Sequence, residues 1–438
     1  MQLNSLRMTK EMGSRMLNRK IYKILFASFI ITSMIIIINI NRDNNNDQSL
    51  PETENLDFVL EEGKGNGDED NIGENNSDKK NNGNENSAGG NDNLKKERVK
   101  VKAVYIPGAS AGNEAFLDKI INFTKNTELN AVVIDVKEDG KVNYESNLKS
   151  VRDIKGYSEL YNVEKVIKKL KDNGIYVIGR VVCFRDNHLA IKRPDLAIKR
   201  RDGSIWKENN AIAWTNPFNQ EVWEYNIEIA KEAVEKGFDE IQFDYVRFPA
   251  VSNKEVYYGE NLPEKADAIN GFLKEAAAEL KEKGAIVSAD IFAIVCESPG
   301  DTEGIGQVLE RVGMDIDYIS PMIYPSHYAN NSRGMMGNGV GQSINGIVFT
   351  APDLKPYEVV YNVLEKTKNR ISEVENYKAE VRPYIQGFTA SYLPKGYYQV
   401  YGPEQIKQQI KAVYDAGYEE WIVWDAGNNY VENAFKKD

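Results

Sequence analysis

Two aspartates lie inside segments whose alternating apolar residues predict β-strands. Asp244 occurs in IQFDYVRFP (241–249), and Asp290 occurs in IVSADIFA (286–293). Successive strand side chains point to opposite faces, so Gln242 and Asp244 share one face, and Ser288 and Asp290 share one face of their own strand. Glycoside hydrolysis requires two carboxyl groups that flank the scissile bond. The two aspartates are therefore candidates for a catalytic pair.

Each aspartate also has a purely structural interpretation. Asp244 could be bonded to Arg247 or to a loop amide, and Asp290 could be bonded to a loop or paired with Arg180. Perturbed and paired carboxylates are often structural, so position alone does not decide between the two interpretations.

Polar and aromatic residues gather where the predicted strands end. If the strands form a parallel barrel, all of these ends converge on one mouth, where barrel enzymes keep their chemistry. Flat aromatic rings near a cleft suit the apolar faces of pyranose rings. We expect the following residues to contact substrate: Asp135, Arg180, Asp186, Trp214, Gln242, Arg247, Tyr324, His327, Gln386, Trp424 and Asp425.

The chain contains two histidines, His188 and His327, which are too few for a histidine-rich zinc centre. His327 follows a predicted strand, where it could bond a sugar hydroxyl or a catalytic aspartate, or be an ordinary loop residue. No GxSxG elbow accompanies it, which disfavours a serine hydrolase. We predict neither a metal nor a cofactor.

Eight predicted strands alternate with amphipathic segments, which is the pattern of a (β/α)8 TIM barrel of the α/β class. An open doubly wound sheet is the rival, but neither GxGxxG nor GxxxxGK[ST] is present. The predicted strands span 101–107, 131–137, 176–184, 240–248, 286–293, 318–325, 381–388 and 420–427. The predicted helices span 114–126, 158–172, 219–236, 264–283, 302–312, 356–371 and 403–416.

The N-terminal part of the chain differs in composition from the predicted barrel. Residues 1–23 are basic, and 24–40 are seventeen uncharged residues, the lower limit for a membrane span. The basic flank predicts a cytoplasmic N-terminus and a single-pass anchor at the cell membrane, with the remainder outside. A cleaved signal, and hence secretion, is the alternative. Residues 41–94 are rich in Asn, Gly and acidic residues and predict a disordered linker before a barrel at 95–438.

The overall composition restricts the class of partner. The formal net charge is −11, which argues against nucleic acid as a partner. Two cysteines, Cys183 and Cys296, provide no disulfide framework and no cysteine-rich metal site. Buried free thiols are the expectation, with a single bridge as the alternative.

Several long motifs resemble one known family. They are AWTNPFNQEVWEYNIEIAKEAVEKGFDEIQFDYVRFP, VSADIFA, ISPMIYPSHYA and WIVWDAGNNY, in this order along the chain. Together they resemble the glycoside hydrolase family known as the DUF4015 domain, over roughly residues 101–435. The resemblance implies a TIM barrel related to α-amylase-like and other polysaccharide-active barrels, often found in exported bacterial proteins.

The resemblance also implies roles for the two aspartates. In related barrels the aspartate that ends the fourth strand is commonly the nucleophile, and the acid/base commonly comes from the fifth strand. Asp244 and Asp290 match these positions. The chain departs from the family pattern at Gln386-Gly387, where a Gln-Asp-Phe-like triplet is common, and at Trp424-Asp425, where Trp-Asn is common. These departures leave the position of a third carboxylate open.

The sequence therefore predicts an enzyme, a glycosidase that hydrolyses an envelope or extracellular polysaccharide, with Asp244 as nucleophile or charge stabiliser and Asp290 as general acid/base. A proton donor must stay protonated near neutral pH, so we predict a raised pKa for Asp290. A non-catalytic carbohydrate-binding or cell-wall scaffolding barrel is the main alternative. A metal-assisted hydrolase using Asp135, Asp244 and Asp290 is a weaker one.

Overall fold

The computed structural model describes residues 98–436, and eight of its strands form a closed barrel. Each strand is parallel to its neighbours, and the eighth pairs with the first, so an open doubly wound sheet is excluded. The strands are β1 (Lys102–Ile106), β2 (Ala131–Glu138), β3 (Tyr176–Val182), β4 (Glu240–Asp244), β5 (Ile286–Phe292), β6 (Tyr318–Ile323), β7 (Tyr384–Gln386) and β8 (Trp421–Trp424). The predicted TIM barrel is confirmed.

Seven helices follow the first seven strands and surround the barrel. They are α1 (Glu114–Asn126), α2 (Val163–Lys171), α3 (Gln220–Glu235), α4 (Lys265–Glu282), α5 (Leu309–Val312), α6 (Pro356–Ser372) and α7 (Pro403–Asp415). The asparagine before each of α1, α2 and α3 caps it by accepting a bond from a first-turn amide.

Helix α5 is shorter than the predicted segment 302–312. The residues before it form a turn in which Gly304 and Gly306 have positive φ angles. The Asp301 carboxylate accepts the backbone N–H groups of Ile305 and Gly306, which fixes this turn in place of a helical one.

Short helices, strands and 3-10 turns lie within the loops. Three short helices span Gly108–Ala111, Lys149–Asp153 and Asn187–Lys192. Lys141–Val142 pairs antiparallel with β2, and Glu380–Val381 precedes β7 and pairs with β6. Two small hairpins are formed by Lys207–Glu208 with Ile212–Ala213, and by Gln342–Ile344 with Ile347–Phe349. Single 3-10 turns span Pro194–Leu196, Ala293–Cys296, Pro325–His327, Pro352–Leu354 and Glu432–Ala434.

Strand alternation divides the core into two layers. On β4, Ile241 and Phe243 face the helices, and the Phe243 ring packs edge-on against Phe272 of α4. Tyr105 and Tyr384 instead belong to the group of side chains that fills the barrel interior. The predicted orientation of β4 is therefore confirmed, and Gln242 and Asp244 point inward.

The floor of the barrel, at the N-terminal ends of the strands, contains a buried ionic network. Arg382 forms ion pairs with Glu240 and Glu420. Ser288 and Tyr176 also donate hydrogen bonds to Glu240. This network fills the barrel interior at the floor with paired side chains.

The predicted cytoplasmic segment 1–23, anchor 24–40 and linker 41–94 lie outside the described residues. Between residues 98 and 436, none of the helices combines the length and the apolar character needed to cross a membrane. Cys183 and Cys296 are both buried and free, as expected.

Candidate active site

Asp244 and Asp290 lie side by side at the C-terminal end of the barrel. Phe243 of β4 is in register with Ala289 of β5, so the next residue on each strand, Asp244 and Asp290, stands at the same level. Neighbouring strands are about 4.8 Å apart, and both side chains point inward. Asp244 is 5% exposed and Asp290 2% exposed. The two carboxyl groups therefore share one narrow mouth.

Three hydrogen-bond donors hold the Asp244 side chain in place. Arg180 donates from Nε and Nη2 to Oδ2, at 3.0 and 2.5 Å. The backbone N–H of Tyr245 donates to Oδ1 at 2.6 Å. Tyr245 has φ +49°, a left-handed conformation that costs a non-glycine residue on the order of 1–3 kcal/mol. Strand β4 thus ends in a strained turn beside the carboxylate.

Arg180 also contacts two carboxylates of β2. Its Nη1 lies 2.6 Å from Asp135 Oδ1 and 2.5 Å from Glu138 Oε2. The hydroxyl of Tyr105 donates to Asp135 Oδ2 at 2.5 Å. Burial raises the pKa of Asp135 to about 7, although the charge of Arg180 opposes this shift. One guanidinium therefore fixes the positions of three carboxylates.

Asp290 has a different environment. Its Oδ1 is buried and has no hydrogen-bond partner among the described residues. Burial, and next the negative charge of Asp244, raise the pKa of Asp290 well above its ordinary value. The structural alternative of an Arg180–Asp290 pair is not observed, because Arg180 contacts Asp244 instead. The predicted direction of the Asp290 pKa is confirmed.

Aromatic rings form one wall of the mouth. The indole of Trp424 lies 5.9 Å from the Tyr105 ring, 5.7 Å from the Tyr324 ring and 5.4 Å from the Phe388 ring, measured between centroids. Trp424 is partly exposed, so this wall can present an aromatic face to a sugar ring.

His327 borders the aromatic wall. Its ring is 5.2 Å from Tyr324, and Ser326 Oγ lies 3.0 Å from Nδ1. Burial lowers the pKa of His327 to about 4, so the imidazole is neutral at physiological pH. It can exchange hydrogen bonds with a substrate hydroxyl but does not supply a positive charge.

Two predicted substrate contacts lie away from the mouth. Asp186 is fully buried, pairs with Lys137 at 2.6 Å and caps a short helix through Leu189 N–H. Trp214 is also fully buried, with its ring packed edge-on against Tyr245. Neither side chain is open to solvent, because the segment after β3 packs into the core.

Three further predicted contacts have structural partners. Gln242 lies one layer beneath Asp244 and is bonded to Ser320 and Tyr384. Gln386 bonds Asp353 and the Ser326 amide, and it is fully buried. The Asp425 carboxylate accepts the amides of the loop that follows β8. These contacts account for the three buried polar side chains without a bound ligand.

Arg247 does not pair with Asp244, contrary to the structural alternative for that aspartate. Its guanidinium lies 4.2 Å from the centroid of the Phe292 ring and 5.0 Å from that of Trp214, and it donates to the carbonyl of Phe248. It is buried, and it stabilises the loop after β4 through cation–π contacts.

The structure brings Asp135, Arg180, Tyr324, His327 and Trp424 together with the aspartate pair. It adds Tyr105, Glu138 and Phe388, which were absent from the predicted set. Tyr105 could have been found from strand parity, because it is the last inward-facing residue of β1, one position before the strand ends at Ile106. Phe388 lies beyond the end of β7, where no such periodicity applies.

A metal-assisted mechanism fits this site poorly. Among residues 98–436, no group of three or more His, Cys, Asp or Glu side chains is arranged to hold a metal ion. Asp135 and Asp244 both bind Arg180, whose guanidinium occupies the space between them. A divalent cation there would have to displace that charge.

One family of known proteins matches this chain. The model of the DUF4015 family, described as "Putative glycosyl hydrolase domain", matches residues 103–430. A comparison with curated proteins gives no match.

Solved structures were also compared. The glycoside hydrolase domain of PgaB (BpsB) from Bordetella bronchiseptica is 12% identical, with a TM-score of 0.50; the alignment covers 77% of this chain and 99% of that one. At this identity the likeness supports the fold alone. A hypothetical protein from Ruminiclostridium thermocellum is 47% identical over 43% of this chain and 96% of its own, with a TM-score of 0.41.

Proposed function

Because this chain belongs to the DUF4015 family of glycosyl hydrolase domains, we propose that it cleaves glycosidic bonds with Asp244 and Asp290 as its two carboxyl groups. The family match spans most of the chain and agrees with the barrel fold. The mechanism, the roles of the residues and the substrate class that follow are part of the same proposal.

The observation that carries the proposal is the contrast between the two adjacent aspartates. Asp244 accepts hydrogen bonds from a guanidinium and an amide. Asp290 is buried next to Asp244 and keeps an unpartnered oxygen, and its pKa is raised by burial and by the charge of Asp244. Neighbouring carboxyl groups in such different surroundings are suited to the two separate roles that glycoside hydrolysis requires.

In the proposed reaction, Asp290 donates its proton to the glycosidic oxygen as the bond to the leaving sugar breaks. Asp244 attacks the anomeric carbon or stabilises the positive charge that develops there. The ionised Asp290 then takes a proton from the water that releases the product. Arg180 acts as a positioning residue, since it orients Asp244 through two bonds to a single oxygen.

The proposed substrate is a polysaccharide at the cell envelope. The aromatic wall around Trp424 supports a pyranose-binding surface, and His327 supports hydrogen bonding to a hydroxyl. We also propose that segment 24–40 anchors the chain in the membrane, with the barrel outside and residues 41–94 as a tether.

The test is the release of reducing ends from envelope and capsule polysaccharides by the full chain and by Asp244→Asn and Asp290→Asn variants. Asp153→Asn is a matched control, because Asp153 is exposed on a short helix and pairs with Lys149. We expect both site variants to fold and to lose at least a hundredfold in rate, while the control keeps full activity. Wild-type activity in Asp244→Asn would refute the assignment.

The low exposure of both aspartates is the observation that favours a binding module instead. Such a module would bind polysaccharide without cutting it, and binding would be insensitive to both substitutions. Saturable binding in the absence of any released reducing end would therefore replace the hydrolase assignment.

A further inference from the structure

The carboxylates at the mouth outnumber the cations that contact them. Asp135, Glu138 and Asp244 all bind the guanidinium of Arg180, and Asp290 faces the same space. Among residues 98–436, Arg180 is the only cation that contacts these four side chains. Even with Asp290 protonated, Asp135, Glu138 and Asp244 share one guanidinium, so the negative charge at the mouth exceeds the positive charge that contacts it.

The nearest other arginines do not supply this charge. Arg185 is paired with Glu208 at 3.0 Å. Arg247 lies among the Trp214 and Phe292 rings. In the described part of the chain, neither guanidinium forms an ion pair with any of the four carboxyl groups, although Arg185 is near enough to Glu138 for their charges to interact.

Asp290 provides independent evidence that a hydrogen-bond partner is missing at the mouth. Its side chain is 98% buried, and its Oδ1 accepts no hydrogen bond in the described part of the chain. Buried carboxyl oxygens normally have hydrogen-bond partners, so an unpartnered one points to a partner carried by a ligand.

The carboxylate pair at the rim is accessible from solvent. The Glu138 side chain is 30% exposed, and the next residue, Asp139, is exposed as well. The charge of Glu138 is the main cause of the raised pKa of Asp139, which is about 6. The two carboxylates therefore repel each other at the point where a ligand enters.

We propose that the missing cation is a protonated amine on the substrate, and that the mouth recognises an amino sugar that carries no N-acetyl group. The ammonium would lie beside Glu138, with the sugar ring against the aromatic wall at Trp424. An ammonium carries one positive charge and three donors, whereas a divalent metal carries twice the charge and is repelled about twice as strongly by Arg180 at the same distance. This inference rests on the proposed function, because it names the substrate class of the same site.

The test measures binding of methyl glycosides of glucosamine and galactosamine to the full chain. The N-acetylated sugars and the neutral parent sugars are the comparison ligands, titrated by calorimetry or ligand-observed NMR. We expect at least one amine to bind at least about tenfold more tightly than its N-acetylated form, with the difference shrinking between 0.05 and 0.5 M salt.

Two variants locate the effect. Glu138→Gln should reduce the preference for the amine at least threefold. Glu282→Gln changes the net charge equally, but Glu282 is exposed at the end of α4, on the opposite side of the barrel from the mouth, so the preference should persist. Equal binding of the amine and its N-acetylated form, or a preference unchanged in Glu138→Gln, would overturn the inference.

The two proposals fail separately. Hydrolysis of a neutral or N-acetylated polysaccharide that depends on Asp244, without an amine preference, would retain the hydrolase and refute the amino-sugar site. A Glu138-dependent amine preference without hydrolysis of any polysaccharide would support the cation site and refute the catalytic assignment.

Discussion

Replacing Arg180 by glutamine is the sharpest test of how the mouth is held together. The guanidinium contacts Asp135, Glu138 and Asp244 at 2.5–2.6 Å, and all but Glu138 are nearly fully buried. Removing one partner of a buried ion pair typically costs about 3–5 kcal/mol, because the remaining charge is left unpaired. We expect a loss in this range at neutral pH.

The loss should depend on pH. The pKa of Asp135 is raised to about 7 by burial, against the opposing charge of Arg180, so the variant raises it further. A carboxyl with a folded-state pKa above its unfolded value of about 3.9 stabilises the fold at low pH, and this stabilisation is lost as the pH rises through the folded-state pKa. Arg180→Gln should therefore be more destabilised at pH 8 than at pH 5.

The assay is urea denaturation of the wild type and Arg180→Gln at both pH values. Arg311→Gln is the control, because its pair with Asp267 is about half exposed and should contribute no more than about 1 kcal/mol. If Arg180→Gln cost less than about 1 kcal/mol and showed no pH dependence, the buried ionic arrangement would be refuted.

Three other substitutions or conditions give separate tests. Asp135→Asn should flatten the decline in stability between pH 5 and pH 8, as measured by urea denaturation, because it removes the carboxyl with a raised pKa of about 7. Gly387→Ala should destabilise the fold by about 1–3 kcal/mol in thermal denaturation, because its new Cβ would lie 2.7 Å from Val423 Cγ1 and 3.1 Å from the Trp424 carbonyl. In pH–rate measurements, kcat should fall as the pH rises through the raised pKa of Asp290, since only the protonated carboxyl donates.

The fold could be predicted because the spacing of the apolar residues and the residues that begin and end the helices indicate the same elements along the whole barrel. All eight predicted strands are present, and the start of α1 follows directly from Asn113 as its cap. Segment 302–312 was mispredicted because the capping of the turn by Asp301 depends on a contact between its side chain and backbone groups four and five residues later. Helical spacing alone does not reveal that competition.

The site residues could be predicted only where the alternation along a strand determines which way a side chain points. Four of the side chains point inward near the C-terminal ends of their strands, and the barrel brings them together. They are Asp135, Arg180, Asp244 and Asp290. Trp214 lies in a long loop whose path is set by tertiary packing, so its burial was not visible in the sequence.

Gly387 explains one departure from the family pattern. Its backbone N–H bonds the Trp424 carbonyl at 2.9 Å, and the strands are too close there for a side chain. Close backbone approach of this kind is a common reason for glycine in a strand. A third carboxylate is therefore excluded from position 387, and the additional carboxylates of the mouth come from β2.

The two ends of the barrel both contain buried arginines and carboxylates, but they differ in how fully the carboxylate oxygens accept hydrogen bonds. At the floor, both carboxylate oxygens of Glu240 and both of Glu420 accept hydrogen bonds from protein groups. At the mouth, Asp290 keeps an unpartnered oxygen and Glu138 remains partly exposed. A buried network that serves only stability gains nothing from an unpaired carboxylate, whereas a site that binds and protonates a ligand requires one. The incomplete end is also the C-terminal face, where barrel enzymes carry their active sites.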